Sequence, residues 1–272
     1  MNEIDTKDMI TTHLHIPSTP FERQWSGGED GIPQRNSGAY PLPKTIESHI
    51  FLSAYDYFDY ELLRDYLYGI FGFNKPFFVV GKNQSGKRHK VVLESDFIPD
   101  RLGNVSGRAV IPFITSESPY AESIGTTQDI HTDGISANEE LWGFGMGLIA
   151  DDESLIYTHT NKSAFRIFNA GNVEVHPFEQ DIKIEIDFPN NVQVNDHFQL
   201  RNITNGSTFR INEQVMPFEN YTLDGPNITR NGLNALRRTN KQFIVLDPGW
   251  NEFEVTGNTQ ATISFNFRFY YK

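Results

Sequence analysis

The chain has 272 residues, 38% of them hydrophobic and 21% charged, an ordinary globular composition that excludes a disordered chain. It carries 35 acidic and 23 basic side chains, a formal charge of −12, which argues against a tight grip on nucleic-acid phosphates. The absence of Cys excludes disulfide scaffolds, thiolate zinc sites and Cys nucleophiles, and fits folding in a reducing compartment.

The amino end, Met1–Ile10, has neither a basic region nor an apolar run, so no signal peptide is expected. No apolar run approaches the roughly 18 residues that span a bilayer, so no membrane insertion is expected either. His13 and His15 lie two apart on a strand-like stretch and share a face. That is half of a metal site with no identifiable partner; a pair of exposed strand histidines is the plainer reading. Ile46, Ile50, Leu52 and Ala54 then mark a strand.

One helix is expected, over about residues 58–71. Asp56 is its N-cap, and Asp59 and Glu61 place negative charge at the positive end of the dipole. Leu62, Leu63, Tyr66, Leu67, Ile70 and Phe71 fall at helical spacings and form one apolar face. Gly72 is expected to end the helix in the left-handed conformation. Strands are expected over Phe77–Val80 and Arg88–Glu94, joined by residues 81–87. That connection fits the phosphate-binding pattern G-x-x-x-x-G-K. However, Arg88 stands where Ser or Thr should bind Mg²⁺, and a strand follows where a helix should. A loop with solvated charges is the better reading. A further strand runs from about Val105 to Ile114, and Ser118-Pro119 breaks the pattern. The expected domains are therefore 1–120 and 121–272.

Residues 121–150 are polar and then Gly-rich. Asp129, His131, Asp133, Gly134 and Glu140 echo the EF-hand spacing, but His131 replaces an oxygen ligand and no helices flank the loop. An acidic surface loop is the plainer reading. Asp151-Asp152-Glu153 reads as a solvated turn. From Ser163 onward short strands and turn signals recur, as in a β-sandwich. Ile182, Ile184, Ile186 and Phe188 alternate with polar residues, and so do Ala261, Ile263, Phe265, Phe267, Phe269 and Tyr271. Fully burying each Phe of that last row is worth about 1.5–3 kcal/mol. Trp25, Trp142 and Trp250 are candidate sugar-stacking platforms, Trp142 and Trp250 above all; partly buried anchors are the plainer reading. No nucleophile elbow, zinc-protease motif or dinucleotide fingerprint is present.

The order of these elements resembles the distal tail protein family of long-tailed phages (siphophages), especially those infecting Gram-positive hosts. The resemblance is carried by Arg35-Asn36-Ser37-Gly38-Ala39-Tyr40, the strand Thr45–Ala54 leading into the helix, and Val105–Ile114 followed by Ser118-Pro119-Tyr120-Ala121. In the second half it is carried by Asn169-Ala170-Gly171-Asn172, then Pro177 and Ile182–Phe188, and by Leu246-Asp247-Pro248-Gly249-Trp250-Asn251-Glu252-Phe253 before the final aromatic strand. The stretch before Gly38 is short for the family, so an opening strand is expected to be missing or supplied differently; residues 121–160 match poorly.

The resemblance implies a mainly β protein, all-β apart from one helix. It has an N-terminal split-barrel-like ring domain and a C-terminal galectin-like β-sandwich. It implies a homo-hexameric ring at the virion's tail tip, assembled in the host cytoplasm. The ring joins the tail tube protein to the tail-associated hub (lysin) protein, with receptor-binding proteins as further partners. DNA passes through without specific binding. No catalytic residue, cofactor or metal is implied. Two other readings stand beside it: a carbohydrate-binding or host-adhesion module, and a cell-wall glycosidase, for which no pair of carboxylates stands out.

Overall fold

The computed structural model describes residues 8–27, 35–72, 75–135, 141–143, 145–149, 151, 153–192 and 197–272. It divides into two compact units: Met1–Gly81 with His89–Tyr120, and Lys82–Arg88 with Ala121–Lys272.

The first unit runs β1 (Met9–His15), β2 (Phe21–Ser26), β3 (Arg35–Pro41), β4 (Thr45–Ser53), α1 (Tyr57–Phe71), β5 (Phe77–Val80), β6 (Lys87–Leu93), β7 (Asp100–Arg101) and β8 (Ser106–Thr115). Two strands, β1 and β2, precede the Gly38 segment, and β1 is the strand expected around His13 and His15. The main sheet has the order β1-β4-β8-β6, with β5 on β6 and β7 on β8. β4 sits inside it, registered antiparallel to β1 on one side and to β8 on the other. Its period-2 pattern turns Ile46, Ser48, Ile50 and Leu52 inward, all of them buried. The inward faces and α1 close one core around Ile46, Ile50, Leu67, Phe71, Ile111 and Phe113. The rings of Phe71 and Phe77 each lie 5.3 Å from that of Phe113.

α1 forms where the cap and spacing place it. The Asp56 carboxylate accepts the Asp59 backbone N–H at 2.8 Å, and the Asp59 carboxylate accepts that of Tyr55 at 2.9 Å. The apolar face differs from the expected one. Tyr60, Leu67 and Phe71 are buried, with Leu63 and Ile70 packed beside them, but Leu62 and Tyr66 are 68% and 57% exposed. At 100° per residue they fall on a second stripe with Phe58, on the side away from the sheet. Gly72 also differs, with φ −73° rather than a left-handed value. Its requirement is steric: a Cβ there would lie 2.6 Å from the Tyr68 carbonyl.

In the second unit, Lys87 and Arg88 pair with Ser123 and Glu122 of β9 (Ala121–Ser123), and Arg88 bonds the Glu122 carboxylate at 2.7 Å. A second helix follows, α2 (Thr127–Asp133), which the sequence pattern does not reveal: only Thr127 and Ile130 are buried, too few for a stripe. Next come β10 (Thr158–Thr160), β11 (Ala164–Asn169), β12 (Ile182–Asp187), β13 (Phe198–Asn202), β14 (Thr208–Ile211), β15 (Asn220–Asp224), β16 (Asn227–Arg230), β17 (Leu233–Asn234), β18 (Gly249–Gly257), β19 (Thr262–Phe267) and β20 (Tyr270–Tyr271). They build two sheets, β10-β19-β12-β15-β16-β17 and β11-β18-β13-β14. Phe165 and Phe253 of the smaller sheet meet Phe265 of the larger at 6.1 and 5.1 Å, so the inner faces form one aromatic core.

The carboxyl-terminal row is buried as the alternation implies, but it is not one strand. After Phe267 the chain leaves β12, and β20 pairs with β9. At the break Arg268 donates to the carbonyls of Ser123, at 2.9 Å, and Ile124. Tyr270 and Tyr271 are buried on both sides of the new pairing.

Candidate functional site

The residues that composition singled out for small-molecule chemistry are not drawn together. Residues 82–84 form a 3₁₀ turn and β6 follows directly, so no helix N-terminus faces the loop that mimics a phosphate binder. Asp129 lies in α2, where its carboxylate accepts the Thr126 N–H at 2.6 Å and hydroxyl at 3.0 Å; it caps a helix instead of lining a Ca²⁺ loop. His131 and Asp133 lie on that helix too, and Glu140 falls outside the described residues. In the next turn, Asp151 accepts the Ser154 N–H at 2.7 Å, Glu153 pairs with Arg166, and Asp152 is outside the described residues.

The strand register sets His13 opposite His49, with rings 6.0 Å apart, and His15 opposite Glu47. Arg108 donates to His49 Nδ1 at 2.8 Å, which puts a positive charge beside the imidazoles. Among the described residues, no group of three or more His, Asp or Glu is placed to hold a metal ion. Trp142 is 6% exposed, edge-on to Phe269 at 6.2 Å, and a buried ring offers a sugar no face. Trp250 is half-buried, with Phe168 at 5.0 Å and the Arg166 guanidinium 4.3 Å over its ring. An open cleft of about 320 Å³ lies between the Pro177–Ile182 and Asp224–Asn227 segments. Its lining sets Glu179, Asp181 and Asp224 among Pro177, Phe178, Ile182 and Pro226.

The surface is more informative. β2 and β3 form a two-stranded sheet of their own, paired with no other strand among the described residues. Every residue of it is exposed except Gly38, which is half-buried. A two-stranded sheet is marginal in water by itself. Phe21, Trp25 and Tyr40 are nonetheless 45%, 57% and 54% exposed on it. The strand order predicts one face made of Phe21, Arg23 and Trp25. A bulge between Gln24 and Trp25 interrupts the ladder, and there the Asn36 side chain accepts the Gly38 N–H at 3.1 Å. The second exposed apolar element of this unit is the outer stripe of α1, with Phe58 77% exposed beside Leu62 and Tyr66. Exposed aromatic patches of this kind mark contact surfaces. The sequence pattern shows neither. The family resemblance implies a loop over Arg35–Tyr40, which is strand β3 in the structure, and period alone does not say which apolar residues lack a partner within the chain.

Residues 42–115, from the end of β3 to β8, match the family model of the phage tail protein RIFT-related domain. No curated protein matches in sequence. The fold is similar to the crystal structure of the Dit protein of phage SPP1, described as a paradigm of the hub adsorption apparatus in phages infecting Gram-positive hosts. The TM-score is 0.66 at 9% identity, over 96% of this chain and 94% of that one. A chain of the phage p2 baseplate in its activated conformation with Sr also aligns, over 96% of this chain and 90% of that one at 11% identity. Its TM-score of 0.38 is too low to speak to the fold. Residues 42–115 thus match a phage tail protein domain, and the chain shares its fold with the Dit protein of phage SPP1.

Proposed function

We propose that the chain is a structural component of a siphophage tail tip, a distal tail protein. In this reading its first unit assembles into a hexameric ring between the tail tube protein and the tail-associated hub protein. The second unit is a galectin-like sandwich that offers further surface to the hub or to receptor-binding proteins. The protein resides in the virion, is assembled in the host cytoplasm, and works by holding neighbours together rather than by turnover. The observation that carries the reading is the coincidence, in one unit, of the phage tail domain and a free-standing hairpin with three exposed aromatic rings.

A ring needs a heterologous interface that closes, in which one patch of each copy meets a different patch of the next. A conduit for DNA also has to avoid holding it. DNA carries one charge per about 1.7 Å of axis, and an overall charge of −12 disfavours retention.

Solution mass by light scattering, with negative-stain imaging, tests the reading. The expected result is a ring of six copies, alone or on mixing with the tail tube protein. A chain that stays monomeric under both conditions overturns it.

A further inference from the structure

Two exposed apolar surfaces of the first unit answer each other in chemistry. The first is the hairpin face of Phe21, Arg23 and Trp25, two aromatic rings around a cation that makes no ion pair among the described residues. The second is the outer stripe of α1, where Phe58, Leu62 and Tyr66 follow at intervals of four residues. On the helical wheel Asp65 borders that stripe on one side and Asp59 on the other. Residues 55–66 hold Asp56, Asp59, Glu61 and Asp65 against the single cation Arg64, which pairs with Glu61 and, at 2.9 Å, with Asp65. At Gly69, one further turn along the stripe, a Cβ would meet nothing within 4 Å beyond its chain neighbours and the helix's own backbone.

We propose that the hairpin face of one copy docks on the outer stripe of α1 in the next copy. Trp25 and Phe21 would cover the apolar stripe, and Arg23 would face Asp65 or Asp59. The inference rests on the ring reading and names the surfaces that would make it. The choice of occupant follows from the chemistry. The stripe is apolar with acidic borders, and the hairpin face is apolar with a basic centre. Aromatic residues and Arg are the groups that carry binding energy at protein interfaces. Both surfaces stay exposed within the chain, so a second copy is what brings them together. The contact joins two different patches, so repetition generates a closed ring or a filament rather than a symmetric dimer.

The absence of Cys makes a clean test possible. Ala39→Cys, opposite Arg23 on the hairpin face, and Gly69→Cys, on the α1 stripe, are placed in separate full-length proteins, mixed and oxidised, with Phe218→Cys in the second unit as the control partner. All three positions are exposed, so the fold should tolerate them, and circular dichroism checks this. Heterodimers bridged from position 39 of one copy to position 69 of the other are expected well above the control. In parallel, Arg23→Glu should weaken assembly at least tenfold, and Asp65→Arg in the same chain should restore it. Rings seen by imaging without the cross-link or the rescue would overturn the docking and leave the ring standing. Cross-linked copies and charge rescue in an open filament would support the docking and overturn the closed ring. Neither rings nor cross-links would overturn both.

Discussion

Gly107 faces Tyr60 across the core of the first unit. A Cβ at Gly107 would lie 2.2 Å from the Tyr60 hydroxyl and 3.0 Å from the Asp100 carbonyl. That hydroxyl is buried and has no hydrogen-bond partner among the described residues, while the ring is held under the Arg101 guanidinium at 4.4 Å. Two substitutions at one contact should therefore behave oppositely. Gly107→Ala overpacks the site and should cost about 1–3 kcal/mol in urea unfolding. Tyr60→Phe removes an unsatisfied polar atom and should be neutral within about 0.5 kcal/mol, or stabilising. In the double variant the Phe should recover part of the Gly107→Ala loss, since the nearest clashing atom is gone. A large loss on Tyr60→Phe alone would mean that the hydroxyl is satisfied, and would sink the argument. None of this is legible in the sequence: a Gly in a strand pattern signals a close approach, but not what approaches.

At the scale of the element, α1 is the clearest case of local sequence deciding structure. Its N-cap hydrogen bond, donated by the Asp59 N–H to the Asp56 carboxylate, is direct, and Asp56→Ala should cost about 1 kcal/mol of the first unit's stability. Thermal unfolding followed by circular dichroism measures it; an unchanged midpoint would show that packing alone fixes the helix start. The cap and the apolar spacing are readable because both depend on neighbours within four residues. The division of apolar residues into an inner set and an outer stripe is not, because Leu62 and Leu67 look alike until the sheet is in place. The β2–β3 hairpin is hidden for a related reason. Its strands, Phe-Glu-Arg-Gln-Trp-Ser and Arg-Asn-Ser-Gly-Ala-Tyr-Pro, bury almost nothing within the chain and so show no alternation between core and solvent. A segment that buries almost nothing within its own chain lacks the pattern that strand reading depends on. α2 escapes because a seven-residue helix with two buried residues has no stripe to detect.

For the whole molecule, hydrophobic period shows how much of the chain is strand, but it is a local signal. It cannot tell that residues 82–88 belong with the second unit, or that the last strand changes partners after Phe267. Burial also sets how the molecule responds to alkali. Tyr221 is pushed up to about 12 by burial first and by the Glu219 charge second. Burial likewise raises Tyr157, Tyr270 and Tyr271 in the second unit and Tyr60 in the first. A phenol whose pKa is raised on folding keeps its proton in the native state after the unfolded chain, near pH 10, has lost it. Its stabilising contribution is complete below about pH 10 and is lost as pH rises through the folded value. Lys44 and Lys87 act in the opposite sense. Burial lowers their pKa values, so rising pH relieves the cost of keeping them charged, an effect finished by about pH 10.4, the ordinary value for Lys. Five tyrosines against two lysines, with the lysine effect ending as the tyrosine effect begins, predict a steep loss of stability between about pH 10 and 12. Urea midpoints at about pH 8 and pH 11.5, with phenolate absorbance followed in parallel, measure it. Unfolding and phenolate formation should coincide. Phenolate absorbance from all eleven tyrosines at an unchanged urea midpoint would mean that the buried phenols ionise freely, and that burial does not set their protonation.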